Sequence, residues 1–173
     1  LEQEGVPYTG TGIQGSRIAF NKELTKQAFE KYDIPTPRWL MLNDISEPAP
    51  TELAAPWVLK PARQGSSVGL QLVDEAGQWD AAFAAVCEHD DRILCEERIN
   101  GREITVGILA DEALPIVEVI PKVGFYDYQN KYTVGATEYF CPADLPDERA
   151  KAIGQLALKA FDAVEGRDFG RVD

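Results

Sequence analysis

The chain has 173 residues, 45 % of them hydrophobic, so one compact domain or two small lobes with a real core are within reach and disorder is not expected. The formal net charge is −12 and no basic run stands out, which argues against nucleic acid and anionic membranes as partners. His89 is the single histidine, and Cys87, Cys95 and Cys141 lack CxxC spacing. A histidine zinc site and a Ser–His triad are thereby excluded, and the cysteines read as reduced thiols of a cytoplasmic protein.

In chain order, LEQEGVPYTG reads as the end of a helix running into a loop. Residues 21–32 place Leu24, Ala28, Phe29 and Tyr32 at helical spacing, and IPTP ends that helix before a strand, RWLML. The segment SEPAPTELAAP reads as a loop or a short surface helix. PWVLKPA and LQLV read as strands flanking a Gly/Ser loop. Residues 75–88 form a second helix with Trp79, Phe83, Val86 and Cys87 on one face, and RILCEERI follows as a buried strand. After the turn signal Asn100–Gly101 come the strands EITVGIL and ALPIVEVI, an aromatic loop GFYDYQNKY, and a strand at ATEYF. Pro146 opens a long helix with Ile153, Leu156, Ala157, Ala160, Phe161 and Val164 on its apolar side, and GRDFGRVD returns as a strand. The expectation is two α+β lobes split near Glu97: residues 1–12 as a linker, 13–96 as a central lobe and 97–173 as a second lobe.

Several segments carry residues suited to anion chemistry. In VLKPARQGSSVGLQLV, Gly65 and Gly69 let backbone N–H groups approach an anion, Ser66 and Ser67 add donors, and Lys60 and Arg63 add charge. The same stretch also reads as an ordinary Gly/Ser hairpin. In ILCEERINGRE, a strand bearing Glu96 and Glu97 can offer backbone groups to a base edge and Glu103 a carboxylate to a ribose, or the stretch is a solvated charged turn. Lys22 opposes the dipole at a helix start. Arg171 and Asp173 share one face of the last strand, as a cation for a developing oxyanion and a carboxylate for Mg²⁺, or as a surface ion pair. Tyr126, Tyr128 and Tyr132 with Lys131 deliver hydroxyls and a cation together, or plug a loop.

Taken together, GVPYTGTG, NKELTK, IPTP, VLKPARQGSSVG, ILCEERINGREITVG, LPIVEVIP, GFYDYQNKYTVGATEYFCPA and GRVD resemble the D-alanine–D-alanine ligase family of the ATP-grasp superfamily, in family order over nearly the whole chain. The resemblance implies an α+β ATP-grasp fold, two α+β lobes with ATP between their sheets. It implies ligation of two D-alanines through an acyl-phosphate for peptidoglycan precursors, in the cytoplasm, with Mg²⁺ or Mn²⁺ as cofactor and a homodimer as the common assembly. Lys22, Lys60 and Lys131 would contact ATP phosphates, and the loop at Ser66 and Ser67 would close over them. Glu96, Glu97 and Ile99 would hold adenine and Glu103 the ribose. Ser66 and Tyr132 would position D-alanine, Arg171 would stabilise the tetrahedral intermediate, and Asp173 would bind the metal. The loop holding Lys131 and Tyr132 would be a lid that keeps water from the acyl-phosphate.

Two departures accompany the resemblance. Arg98 stands where the family often has an aromatic residue beside the base. The family's amino-terminal domain and the tail beyond GRVD, with its Glu and Asn metal ligands, have no counterpart here, so a fragment of a longer enzyme is expected. The alternatives are a related ligase with a D-lactate acceptor and a catalytically incomplete nucleotide-binding piece.

Overall fold

The computed structural model describes residues 1–43, 47–122, 124 and 133–173. The chain forms two compact units: residues 20–26 with 35–100, and residues 1–19 with 27–34 and 101–173.

The first unit is a four-stranded antiparallel sheet in the order β1-β4-β2-β3, built from β1 (Trp39–Leu42), β2 (Trp57–Pro61), β3 (Gln71–Val73) and β4 (Ile93–Glu97). Burial alternates along β2, so Trp57, Leu59 and Pro61 point to one face and Val58 and Lys60 to the other. The first face packs on α3 (Trp79–Cys87), where Trp57, Leu59, Val73, Trp79, Phe83, Val86, Ile93 and Cys95 form the core. Trp79 meets Trp57 edge to face at 5.3 Å and stacks on Phe83, an arrangement aromatic quadrupoles favour. The register pairs Val58 with Glu96 and Lys60 with Leu94, so Lys60 and Glu96 lie diagonally on the face turned from that core.

The first turn of α2 (Lys22–Lys31) belongs to the same unit. Asn21 caps it: its Oδ1 accepts from the N–H groups of Glu23 at 3.0 Å and Leu24 at 3.3 Å. The Lys22 N–H donates to the Ala62 carbonyl at 2.9 Å, which ties the helix start to the end of β2.

In the second unit, β5 (Glu103–Leu109) is central. It pairs with β6 (Glu112–Ala113) and β7 (Val117–Pro121) in succession, and with β9 (Phe169–Val172), while β8 (Thr137–Phe140) pairs with β7. The stretch ALPIVEVI reads as one strand in sequence and is two in the structure. Pro115 lies at the break and has no N–H to give the ladder. The long helix α4 (Asp147–Ala163) begins after Pro146 and buries Ala157, Ala160, Phe161 and Ala163. Its core partners are Val106, Ile108, Ile116 and Ala143.

Two further differences from the sequence expectation stand out. The opening residues form a short 3₁₀ turn, Glu2–Glu4, and then a helix, α1 (Ile13–Phe20), that no apolar stripe announces. Residues 47–56 contain no helix. The aromatic loop with Tyr126, Tyr128, Lys131 and Tyr132 lies outside the described residues. No helix among the described residues is long and apolar enough to cross a membrane.

Candidate functional site

The feature with most chemistry sits on the sheet face of the first unit turned from its apolar core. Two lysines converge there on one carboxylate, and a third is near enough to feel its charge. Glu96 is 4 % exposed, and its Oε1 meets the Lys26 ammonium while its Oε2 meets that of Lys60. Burial works against the Glu96 charge, and the two ammonium groups outweigh it, holding the carboxyl below its ordinary value. Lys26 is 5 % exposed and donates also to Thr36 Oγ1 and, at 3.0 Å, to the Pro37 carbonyl. The Lys60 side chain is 29 % exposed.

Lys22 lies one helical turn before Lys26 and is half-buried. Its ammonium donates to the carbonyls of Pro61, at 2.9 Å, and Gln64, both at the root of the Gly/Ser loop. Burial, followed by the positive charge of Lys60, lowers its pKa to about 8. Lys22, Lys26 and Lys60 thus gather about Glu96, with Asp90 also acting on Lys22, in a chain of net charge −12. A local gathering of cations of this kind is chemically suited to an anion.

The Gly/Ser loop leaves β2 beside these lysines. Ser66, Ser67 and Gly69 take positive φ, of 53°, 60° and 72°. For the two serines this left-handed backbone costs about 1–2 kcal/mol each, and such strain clusters at ligand clamps. A turn closes within the loop, Val68 N–H to Gly65 O at 3.1 Å and Leu70 N–H to Ser67 O at 3.3 Å. Arg63, expected from sequence to add charge at the anion site, is instead engaged at the loop's base. Its side chain binds Asp90 and Asp91, and its N–H donates to Asp90 at 2.8 Å. The Asp90 side chain is 2 % exposed. Burial pushes its carboxyl up, and hydrogen bonds from the Arg63 side chain and from the N–H groups of Arg92 and Arg63 bring it down to about 2. His89 supports the same loop: a Cβ on Gly69 would fall 2.5 Å from the His89 ring.

The other sequence-predicted residues distribute as follows. Glu97, beside Glu96 on β4, exchanges hydrogen bonds with Arg38 across the sheet edge, and Ile99 is 63 % exposed. Arg98 is committed to Asp74 at 2.7 Å. In the second unit, Glu103 begins β5 and is exposed. Arg171 and Asp173 share one face of the last strand and pair with each other at 2.9 Å, and Thr105 Oγ1 donates to Asp173 at 2.7 Å. Lys22, Lys60, Ser66, Ser67, Glu96, Glu97 and Ile99 therefore belong to the first unit, and Glu103, Arg171 and Asp173 to the second. Lys131 and Tyr132 lie outside the described residues. Sequence reading missed Lys26, whose buried partner lies far along the chain, and the capping role of Asn21, which the order Asn-Lys-Glu-Leu before an apolar period announces.

No thiol presents itself as a nucleophile in the core. Burial, and then the Glu96 charge, pushes Cys95 up to about 12, and burial raises Cys87. Among the described residues no group of three or more His, Cys, Asp or Glu side chains is arranged to hold a metal ion. Asp173, now paired with Arg171 and Thr105, is a carboxylate of the type that binds Mg²⁺ together with phosphate oxygens. A cavity of about 470 Å³ in the second unit, lined by Arg102, Ile104, Leu145, Arg149, Ile153 and Leu156 among others, contains none of the predicted residues.

A family model for the D-ala D-ala ligase C-terminus matches residues 28–173. The chain belongs to the D-ala D-ala ligase C-terminus family. A D-alanine–D-alanine ligase of Methylacidiphilum infernorum (isolate V4) is 43 % identical over 173 residues, covering 100 % of this chain and 56 % of that protein. Another, from Paracidovorax citrulli (strain AAC00-1), is 37 % identical over 179 residues and is covered to 54 %. The chain thus spans about half the length of the curated relatives it matches. The crystal structure of D-alanine–D-alanine ligase from Bacillus anthracis superposes with a TM-score of 0.86 at 31 % identity, over 100 % of this chain and 58 % of that one. The VanG D-Ala:D-Ser ligase from Enterococcus faecalis gives 0.84 at 28 %, over 99 % of this chain and 52 % of that one. The ligase-family fold expected from sequence is the one observed, an ATP-grasp fold of mixed helix and sheet.

Proposed function

We propose that this chain is the nucleotide-handling part of an ATP-dependent D-alanine–D-alanine ligase. The observation that carries the reading is the cluster of Lys22, Lys26 and Lys60 about Glu96, next to a strained Gly/Ser loop. The same fold in Bacillus anthracis D-alanine–D-alanine ligase has been solved complexed with ATP, with a TM-score of 0.82 to this chain.

In this reading Lys22 and Lys60 neutralise phosphate charge, with Lys131 at the γ-phosphate. The loop of Ser66 and Ser67 folds over the phosphates through its N–H and hydroxyl groups. The end of β4, at Glu96, Glu97 and Ile99, receives the adenine edge, and Glu103 bridges the ribose hydroxyls. Arg98, already bound to Asp74, closes one side of the base by its planar guanidinium. Asp173 supplies one carboxylate to Mg²⁺, which would add charge neutralisation at the transferring phosphoryl group. Arg171 offsets the charge that develops on the attacked carbonyl oxygen. Ser66 and Tyr132 orient D-alanine.

The reaction joins two D-alanines. The carboxylate of one takes the γ-phosphoryl group, releasing ADP. The amine of the other attacks the acyl-phosphate carbon and displaces phosphate, leaving D-alanyl-D-alanine. Positioning and charge neutralisation suffice for both steps, in keeping with a lone histidine and a buried Cys95 thiol of raised pKa. The product fits peptidoglycan precursor synthesis in the cytoplasm, by a homodimer.

The test is ADP release by the protein with Mg²⁺ and ATP, with and without D-alanine. D-alanine-dependent ADP is the expected result. D-Serine and D-lactate as second substrates read the acceptor, and a preference for either replaces the D-alanine reading. ATP raising the melting temperature without any ADP formed leaves a nucleotide-binding piece of such a ligase.

A further inference from the structure

Lys26 is assigned no ligand in the reading above, although it is the most deeply buried cation of the cluster. An ammonium has three donors. The Lys26 ammonium meets Glu96 Oε1, Thr36 Oγ1 and the Pro37 carbonyl, all three within its own unit. Lys60 differs on both counts. Its side chain is 29 % exposed against 7 % for Lys26, and among the described residues its ammonium finds its ion-pair partner in Glu96. Glu96 therefore has one fixed counter-charge and one that reaches solvent.

We propose that Lys26 is a positioning residue that retains Glu96 when Lys60 turns from that carboxylate to an anionic ligand. The proposal rests on the nucleotide reading of the site. A carboxylate this buried is costly to leave without a partner. Were Lys60 its single counter-ion, every approach of a phosphate would have to compete with Glu96 for that lysine. With Lys26 in place, the carboxylate keeps one ammonium throughout, and Lys60 can change partner at little cost. Thr36 and Pro37 also accept from the Lys26 ammonium, so it is tethered at more than Glu96.

The test is a double-mutant cycle on ATP affinity, measured by titration calorimetry with Mg²⁺ well below the melting temperature, so that the folded protein alone is read. Lys26→Met should weaken ATP about tenfold in the parent protein and change it little in a Lys60→Met background, because there is then no lysine to release. Unchanged affinity in the single variant overturns the proposal. So does an equal loss in both backgrounds, which is the mark of a scaffold residue. Should Lys26→Met fail to fold, Lys26→Gln, which keeps a donor for the Pro37 carbonyl and drops the charge, runs the same cycle. Parent protein that does not bind ATP at all sinks the nucleotide reading and this proposal with it, and that failure is recognised because no substitution is needed to see it.

Discussion

At the residue scale, Lys22 and Glu96 carry opposite lessons about burial. Lys22 has a pKa lowered to about 8 from an ordinary 10.5, so between those values the unfolded chain holds more protons than the folded one. Its contribution to stability therefore rises with pH across that window. Thermal melts from pH 8 upward should show that slope in the parent protein and lose it in Lys22→Met. Nucleotide binding should run the other way, because the neutral amine cannot pair with phosphate. ATP affinity is expected to fall as pH rises through about 8, and Lys22→Met to bind weakly with a flatter profile, read by calorimetry across that range. Glu96 is held ionised by Lys60 and Lys26 in spite of burial. Glu96→Gln leaves Lys26 buried without a counter-charge and should cost about 3–5 kcal/mol in urea unfolding, where a loss below 1 kcal/mol would contradict the pairing. None of this could be read from Lys26 or Glu96 alone in the sequence. Periodicity marks apolar faces, and a buried charge is recognisable only once its distant partner is known.

At the scale of elements, the Gly/Ser loop depends on the turn after α3. Arg63 grips Asp90 and Asp91, Gln64 Nε2 donates to the His89 carbonyl at 3.2 Å, and the His89 ring fills the space above Gly69. Gly69→Ala meets both a positive φ and that ring, so a loss of about 1–3 kcal/mol is expected in denaturant unfolding, partly recovered when His89→Ala opens the space. Asp90 has its folded pKa depressed to about 2 from an ordinary 3.8. Its stabilisation is present above the ordinary value and lost as pH falls toward 2. Acid titration of stability should be shallower in Asp90→Asn over that window. Helices α2, α3 and α4 and most strands were legible because their apolar residues recur at the right period. Helix α1 was not, because IQGSRIAF has no clear stripe. Its Gly15 is required by contact instead: a Cβ there would lie 2.4 Å from the Glu165 carbonyl. The break between β6 and β7 was legible in Pro115, had its missing N–H been weighed against an otherwise continuous apolar run.

For the whole molecule, the ligase resemblance came from the order of many short stretches, none of them specific alone. The stretch NKELTK contains both Lys22 and Lys26, and the resemblance attached a role to Lys22 alone. The chemistry expected is free of thiols. Cys95 is buried and Cys87 half-buried, both raised by burial, and Cys141 is exposed. Iodoacetamide should modify Cys141 first in the folded protein, and D-alanine-dependent ADP formation should survive that modification. Early loss of activity, in step with Cys141 labelling, would contradict it.

The opening residues are fastened near the end of the chain. The Gly10 N–H donates to Asp168 Oδ2 at 2.7 Å, Arg167 Nε donates to the Gly10 carbonyl at 3.0 Å, and the Arg167 guanidinium lies over the Tyr8 ring. These contacts join residues 158 and 157 positions apart, and the entropy of closing such loops is recovered only when both partners exist. The sheet that carries Lys60 and Glu96 draws instead on the nearly continuous stretch 35–100. During synthesis the lysine-bearing sheet can therefore condense while the ribosome is still adding residues. The unit that holds Arg171 and Asp173 has to wait until residues 167–172 have been added.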